Sequence, residues 1–265
     1  MIQAGKILSR VREQKPLIHH ITNWVSIYDC ANVTRAFGAL PIMSHAIEEV
    51  EEMVSLSNAL VLNIGTLTRE LIDSMILAGK KANELRKPIV LDAVGAGATK
   101  LRTEETERIM KEVRIDIVKG NKSEIAVLAG VNAVTKGVEA GEVKEDLIEI
   151  GKKIFNERKS IAVITGKEDL VIGRRVFSVN NGHELMGRVV GTGCMAASII
   201  ASFAAVEEEK EIAAASGLSC FGIAAELAAV NAAGIGSFKE KMYDEIFNLK
   251  EEKVNEMQKI KEVNP

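Results

Sequence analysis

Short runs of Val, Ile and Leu alternate along the chain with longer segments in which apolar residues recur every three or four positions. That alternation predicts βαβ units around a mainly parallel sheet. Strands are predicted at 16–21, 39–44, 59–64, 88–94, 115–119, 161–165 and 170–179, most of them ending in a glycine or a polar residue. Between them, 68–86 places Leu71, Ile72, Met75, Ile76 and Ala78 on one face, with Arg69, Glu70, Asp73, Lys80 and Lys81 elsewhere, as an outer helix requires. Similar helices are predicted at 26–37, 103–113, 123–129 and 144–157, and two Ala-rich ones at 193–206 and 211–233. The charge-dense end, 238–261, keeps Met242, Ile246, Leu249 and Val254 near helical spacing and is expected to cover one edge of the body. The fold class is α/β, a mainly parallel central sheet flanked by helices on both faces.

Length and composition narrow the function. A chain of 265 residues with 47% hydrophobic content can bury a large core, and one domain over 1–265 is expected. The formal net charge of -3 provides no global positive field, so nucleic acid and membrane partners are not expected. Cys30, Cys194 and Cys220 lie far apart with no C-x-x-C, which argues against a disulfide framework or zinc ribbon and for a reducing, cytoplasmic setting. The N-terminus meets charged residues within a few positions and has no secretion-signal pattern. The apolar stretch 212–235 could pass for a membrane span, but Ala and Gly dominate it and Glu226 interrupts it, so a buried helix is the better reading. The four histidines have no metal-ligand spacing.

In an open parallel sheet, ligands bind beyond the carboxyl ends of the strands. There the chain reads Asp92-Ala93-Val94-Gly95-Ala96-Gly97-Ala98, Lys119-Gly120-Asn121-Lys122-Ser123-Glu124, Thr165-Gly166-Lys167-Glu168-Asp169 and, later, Gly191-Thr192-Gly193-Cys194. Gly95-x-Gly97 meets Lys100 where a dinucleotide fingerprint needs its third glycine, and no G-x-x-x-x-G-K-[ST] occurs. Gly191-Thr192-Gly193-Cys194 precedes an Ala-rich helix, so its amides would favour a phosphoryl group or oxyanion, and the helix terminus would lower the Cys194 pKa. A Gly-x-Gly turn closed by a buried cysteine accounts for the same four residues. Asn121-x-x-Glu124 offers an amide and a carboxylate oxygen to a hydrated magnesium ion, or equally an Asn N-cap with Glu at N3. Met43 and Trp24 serve as core fillers or as a pocket wall.

Five ordered segments carry a resemblance. They are Pro16-Leu17-Ile18-His19-His20-Ile21-Thr22-Asn23, Val50-Glu51-Glu52-Met53-Val54, 59–67 (Ala-Leu-Val-Leu-Asn-Ile-Gly-Thr-Leu), Val94-Gly95-Ala96-Gly97-Ala98-Thr99 and Gly191-Thr192-Gly193-Cys194. Together, over about 16–206, the chain resembles the hydroxyethylthiazole kinases. The resemblance implies a ribokinase-like fold and phosphorylation of the hydroxyl of 4-methyl-5-(2-hydroxyethyl)thiazole with ATP and magnesium, in thiamine salvage. It further implies that Asn23 and Met43 line the thiazole pocket, that Gly191 and Gly193 supply anion-hole amides, and that Cys194 holds the place of the catalytic base. Lys119 and Thr165 match ATP-contacting positions, Asn121 and Glu124 the motif that holds magnesium through water, and a homotrimer with the thiazole site at a subunit boundary is implied. His20 stands where the family usually has Asn, Ala93 where Pro usually follows the aspartate, and Lys119 where Arg is common.

Two rival readings accompany this one. Ribokinase-like folds also include nucleotide-dependent hydratases of damaged nicotinamide cofactors, against which His-x-Ile-Thr-Asn speaks. A sensor that binds a thiazole without turning it over is the other.

Overall fold

A computed structural model describes residues 2–131 and 147–263. One nine-stranded sheet runs in the order β2-β1-β3-β4-β5-β6-β7-β8-β9. Its strands are β1 (Leu17–Ile21), β2 (Leu40–Met43), β3 (Ala59–Asn63), β4 (Ile89–Asp92), β5 (Ile117–Asn121), β6 (Ile161–Thr165), β7 (Asp169–Ile172), β8 (Val176–Val179) and β9 (Ile260–Glu262). The first six pair in parallel and the last four antiparallel. This is the mainly parallel α/β sheet that the hydrophobic pattern predicts.

Two apolar layers sandwich the sheet. One is built on α1 (Ala4–Gln14), α2 (Ile27–Phe37), α8 (Thr192–Ala204), α9 (Lys210–Ala229) and α10 (Ile235–Asn248). The other is built on α3 (Val50–Leu56), α4 (Arg69–Glu84), α5 (Lys100–Glu112), α6 (Lys122–Leu128) and α7 (Leu147–Arg158). Alternate strand residues feed the two layers: Val61 and Val90 face α8, while Leu60, Leu62 and Leu91 face the other side. Thr68 caps α4 by accepting from the Leu71 N–H, and Thr99 does the same for α5 from Arg102.

Three expected elements differ. The strand expected over 170–179 is two strands, because Gly173 and Arg174 turn the chain and the Gly173 N–H closes on Arg175 O at 3.0 Å. The helix expected over 238–261 ends at Asn248, restarts as α11 (Glu251–Met257) and gives way to β9, which pairs with β8 and forms the sheet edge. The helix expected from 144 begins, among the described residues, at Leu147; its expected first residues lie outside them. α1, α3 and a 3-10 turn at Glu184–Arg188 complete the set.

α9 has the length and hydropathy of a membrane span, yet 78% of its most apolar window is buried inside the protein. Glu226 is no misfit there. Its Oε1 accepts from Asn181 Nδ2 (3.1 Å), the Gly182 N–H (3.0 Å) and Lys259 Nζ (3.0 Å), tying the carboxyl-terminal segment to the core helix.

Candidate active site

On the sheet face covered by α8, an apolar row turns polar one strand period further on. Val61, Val90 and Ile117 belong to the core, and two residues later stand Asn63, Asp92 and Lys119. Register places Asn63 opposite Asp92 and Asp92 opposite Lys119, so the three side chains are lateral neighbours. Asn63 Nδ2 donates to Asp92 Oδ2 at 2.8 Å and Lys119 Nζ to Asp92 Oδ1 at 2.9 Å. Asp92 is fully buried and Lys119 4% exposed. Burial pushes the Asp92 carboxyl up, against the pull of Lys119. Burial also opposes the lysine's charge, but Asp92, Cys194 and Glu124 outweigh it and push Lys119 up to about 12.

The 191–194 turn sits over this row. Gly191 has φ +93°, the left-handed region that glycine enters without a Cβ penalty. A Cβ on Gly193 would lie 3.2 Å from Lys119 Nζ, so that position keeps the lysine and the first amides of α8 together. Asn23, at the end of β1, donates through Nδ2 to Asn63 Oδ1 (2.9 Å) and Cys194 Sγ (3.3 Å), while its Oδ1 accepts from the Val25 and Ser26 N–H groups. The expected lowering of the Cys194 pKa is corrected. Burial and the neighbouring Asp92 push the thiol up, and Lys119, Ser26 and Asn63 offset them only in part. Cys30 and Cys220 are buried, with thiols pushed up by that burial.

Asn121 and Glu124 form a capping box on α6. Asn121 Oδ1 accepts from the Ser123 and Glu124 N–H groups at 3.0 Å each, and Glu124 Oε2 accepts from the Asn121 N–H at 2.7 Å. Glu124 Oε1 accepts from the Gly95 N–H at 2.7 Å, binding the glycine loop after β4 to α6. Arg102 ties that loop to the end of β3, donating to Val94 O and to Ile64 O and Gly65 O. Each Glu124 oxygen keeps a lone pair, and its carboxyl is pushed up by burial, with Lys119 pulling back. Thr165 is half-buried at the end of β6, opposite Asn121. Met43 is half-buried on edge strand β2 opposite His20.

Asn63 and Asp92 received no role from sequence, although their period-two spacing after Val61 and Val90 was a usable signal. Ser26, whose Oγ donates to Asn23 Oδ1 at 3.1 Å, had none. Ala93 is buried in the core. His20 is fully buried on β1: Nδ1 donates to Ile18 O at 3.0 Å, and Nε2 has no hydrogen-bond partner among the described residues. Desolvation therefore lowers its pKa to about 4. A histidine held neutral in the fold but free to charge when unfolded costs stability as pH falls from its ordinary 6.5 towards 4. His20→Asn is expected to remove roughly 2 kcal/mol of that acid loss between pH 7 and 4.5. Chemical denaturation between pH 7 and 4.5 checks it, and parallel curves for variant and parent would refute it.

The model of the hydroxyethylthiazole kinase family matches residues 8–252. A hydroxyethylthiazole kinase of Methanosarcina mazei is 58% identical over 97% of this chain and 98% of its own length. One of Thermoanaerobacter pseudethanolicus is 49% identical over 96% and 98%. The structure of a hydroxyethylthiazole kinase from Pyrococcus horikoshii superposes with a TM-score of 0.90 at 43% identity, covering 98% of this chain and 99% of that one. An ADP/ATP-dependent NAD(P)H-hydrate dehydratase of Bacillus subtilis, 11% identical with a TM-score of 0.59 over 89% and 90%, shares the fold alone.

Proposed function

The chain belongs to the hydroxyethylthiazole kinase family, and on that premise we propose that it transfers the γ-phosphoryl group of ATP to the hydroxyl of 4-methyl-5-(2-hydroxyethyl)thiazole. The observation that carries the reading is the meeting of Cys194, the Lys119 ammonium and the first amides of α8 over one buried polar row. Phosphoryl transfer through a loose transition state needs alignment and charge stabilisation above all. The Gly191 and Gly193 amides and Lys119 meet the charge on the transferring group. Cys194 stands where the attacking hydroxyl gives up its proton, and Asn23, bonded to its sulfur, holds that end of the site in register. Asn23 and Met43 line the thiazole pocket, and Thr165 reaches the nucleotide.

Magnesium, when bound, draws charge off the phosphates. Glu124 fits an ion that keeps its waters, because it has one lone pair free on each buried oxygen. Asn121, whose Oδ1 already accepts two amide protons, holds Glu124 in place. Glu124→Gln turns an amide N–H₂ towards one backbone donor, so it is expected to cost about 1–3 kcal/mol and to raise the magnesium concentration for half-maximal turnover several-fold. A magnesium titration beside a thermal melt checks both. A lowered melting point with an unmoved magnesium midpoint would leave the residue a cap alone.

Trp24, Val25 and Val190 are exposed apolar side chains next to Asn23 and Gly191 in the chain. They suit a homotrimer with the site at a subunit boundary. Light scattering is expected to give the mass of three chains, and the mass of one at micromolar concentration would remove the trimer. The function itself is tested by coupled ADP release from the purified protein across a panel of vitamin-precursor alcohols. Release that depends on the hydroxyethylthiazole is expected, and none above the alcohol-free rate would overturn the reading.

A further inference from the structure

Beside the 191–193 turn lies a charged pair without a task in the reaction above. Gly191 is pressed against the first turn of α2: a Cβ there would fall 3.1 Å from Ser26 Cβ and 3.7 Å from Asp29 Oδ2. Asp29 suits the start of α2, where a carboxylate complements the helix terminus. It does not suit a neighbouring turn that must receive phosphate. At 8% exposure it is poorly screened, and like charges a few ångströms apart repel strongly away from water.

The compensation comes from α10, 214 residues along the chain. Lys239 Nζ lies 2.6 Å from Asp29 Oδ1, and the Tyr243 hydroxyl donates to the same oxygen at 3.0 Å. Lys239 and Tyr243 are four residues apart and so share one helix face. Burial and the Asp29 charge push the Tyr243 phenol up, so it stays a donor. α10 also packs against the Glu184–Arg188 turn that leads into Gly191, and Thr192 Oγ1 donates back to Met186 O at 2.9 Å.

We propose that Lys239 is a positioning residue for phosphoryl transfer, cancelling the Asp29 charge so that the Gly191–Gly193 turn accepts an ATP phosphate, with Tyr243 holding the carboxylate towards the lysine. The inference rests on the kinase reading above. A mere clamp between α2 and α10 would make different predictions for charge-cancelling variants.

The test compares Lys239→Met, Lys239→Arg and the Asp29→Asn/Lys239→Met double variant in the full chain. Kinetics with ATP and with the thiazole alcohol varied separately are read beside ATP binding by calorimetry and thermal melts. Lys239→Met is expected to raise the KM and Kd for ATP roughly tenfold while leaving the KM for the alcohol near the parent's. Lys239→Arg restores ATP binding, and the double variant recovers most of it because the uncompensated charge has gone. A double variant as impaired as Lys239→Met, or a Lys239→Met that binds ATP like the parent, overturns the inference alone. A parent without thiazole-dependent turnover overturns the kinase reading and the inference with it.

Discussion

Lys119→Met is expected to abolish thiazole-dependent ADP release and to lower the melting temperature by roughly 10 °C. The Asp92 carboxylate has no exposure to water, and its two oxygens are held by Lys119 Nζ and Asn63 Nδ2. Removing the cation leaves a buried charge with only the neutral Asn63 and Cys194 beside it, a defect that costs about 3–5 kcal/mol. The pH dependence has a definite sign. Burial already pushes the Asp92 carboxyl up, and without Lys119 it rises further, so the folded state prefers the protonated acid. A carboxyl raised in the fold keeps its stability at low pH and loses it as pH rises through the folded value. The deficit of Lys119→Met should therefore be smallest at the acid end, near the ordinary carboxyl value of 3.8, and grow as pH rises. Adding Asp92→Asn removes the stranded charge and should return most of the melting temperature while turnover stays lost. Melts and turnover of the two variants across that range decide it, and an unshifted melting point in Lys119→Met would dispose of the argument.

That row shows what the sequence could and could not convey. Burial in parallel strands leaves a plain signal of Val, Ile and Leu, so the six parallel strands stand where the pattern puts them, within about two residues at their ends. Strand order is another matter. That Asn63, Asp92 and Lys119 touch follows from β3, β4 and β5 being neighbours, which no local pattern states. Once that order is known, a polar residue two positions after a core valine in two adjacent strands points to the candidate site. The antiparallel end was harder to read. Gly173 turns β7 into β8 inside one apolar run, and β9 closes the edge from a charge-dense stretch whose apolar residues lie near helical spacing. Asp29 met Lys239 only through the packing of α10 on α2. Cys194 is the instructive failure. A helix N-terminus alone argues for a lowered thiol pKa, but the surroundings that three-dimensional packing supplies, burial and Asp92, reverse the sign.

That reversal sharpens the expected behaviour of Cys194 variants. Near neutral pH the thiol, pushed above its ordinary range, is overwhelmingly protonated, so little of it is ready to accept the proton of the attacking hydroxyl. An aspartate at the same place meets the same burial and the same Asp92, which raise a carboxyl from its ordinary acid range towards neutrality, the range best suited to a base at work near pH 7. Lys119, Ser26 and Asn63, which surround the sulfur, are available to hold the new carboxylate. Cys194→Asp is therefore expected to keep the parent's turnover or exceed it, with the acid limb of its pH profile moved to lower pH. Its melting point should fall, because two carboxylates then share one lysine. Cys194→Ala leaves alignment and the proposed anion-binding amides intact but removes the proposed proton acceptor, and turnover should drop on the order of a hundredfold with a mild effect on stability. A cysteine that only fills space ranks the variants the other way: alanine active and aspartate unstable and dead. Thiazole-dependent ADP release from pH 6 to 9, measured beside thermal melts, separates the two orders. An active alanine variant with the parent's pH profile would remove Cys194 from the chemistry.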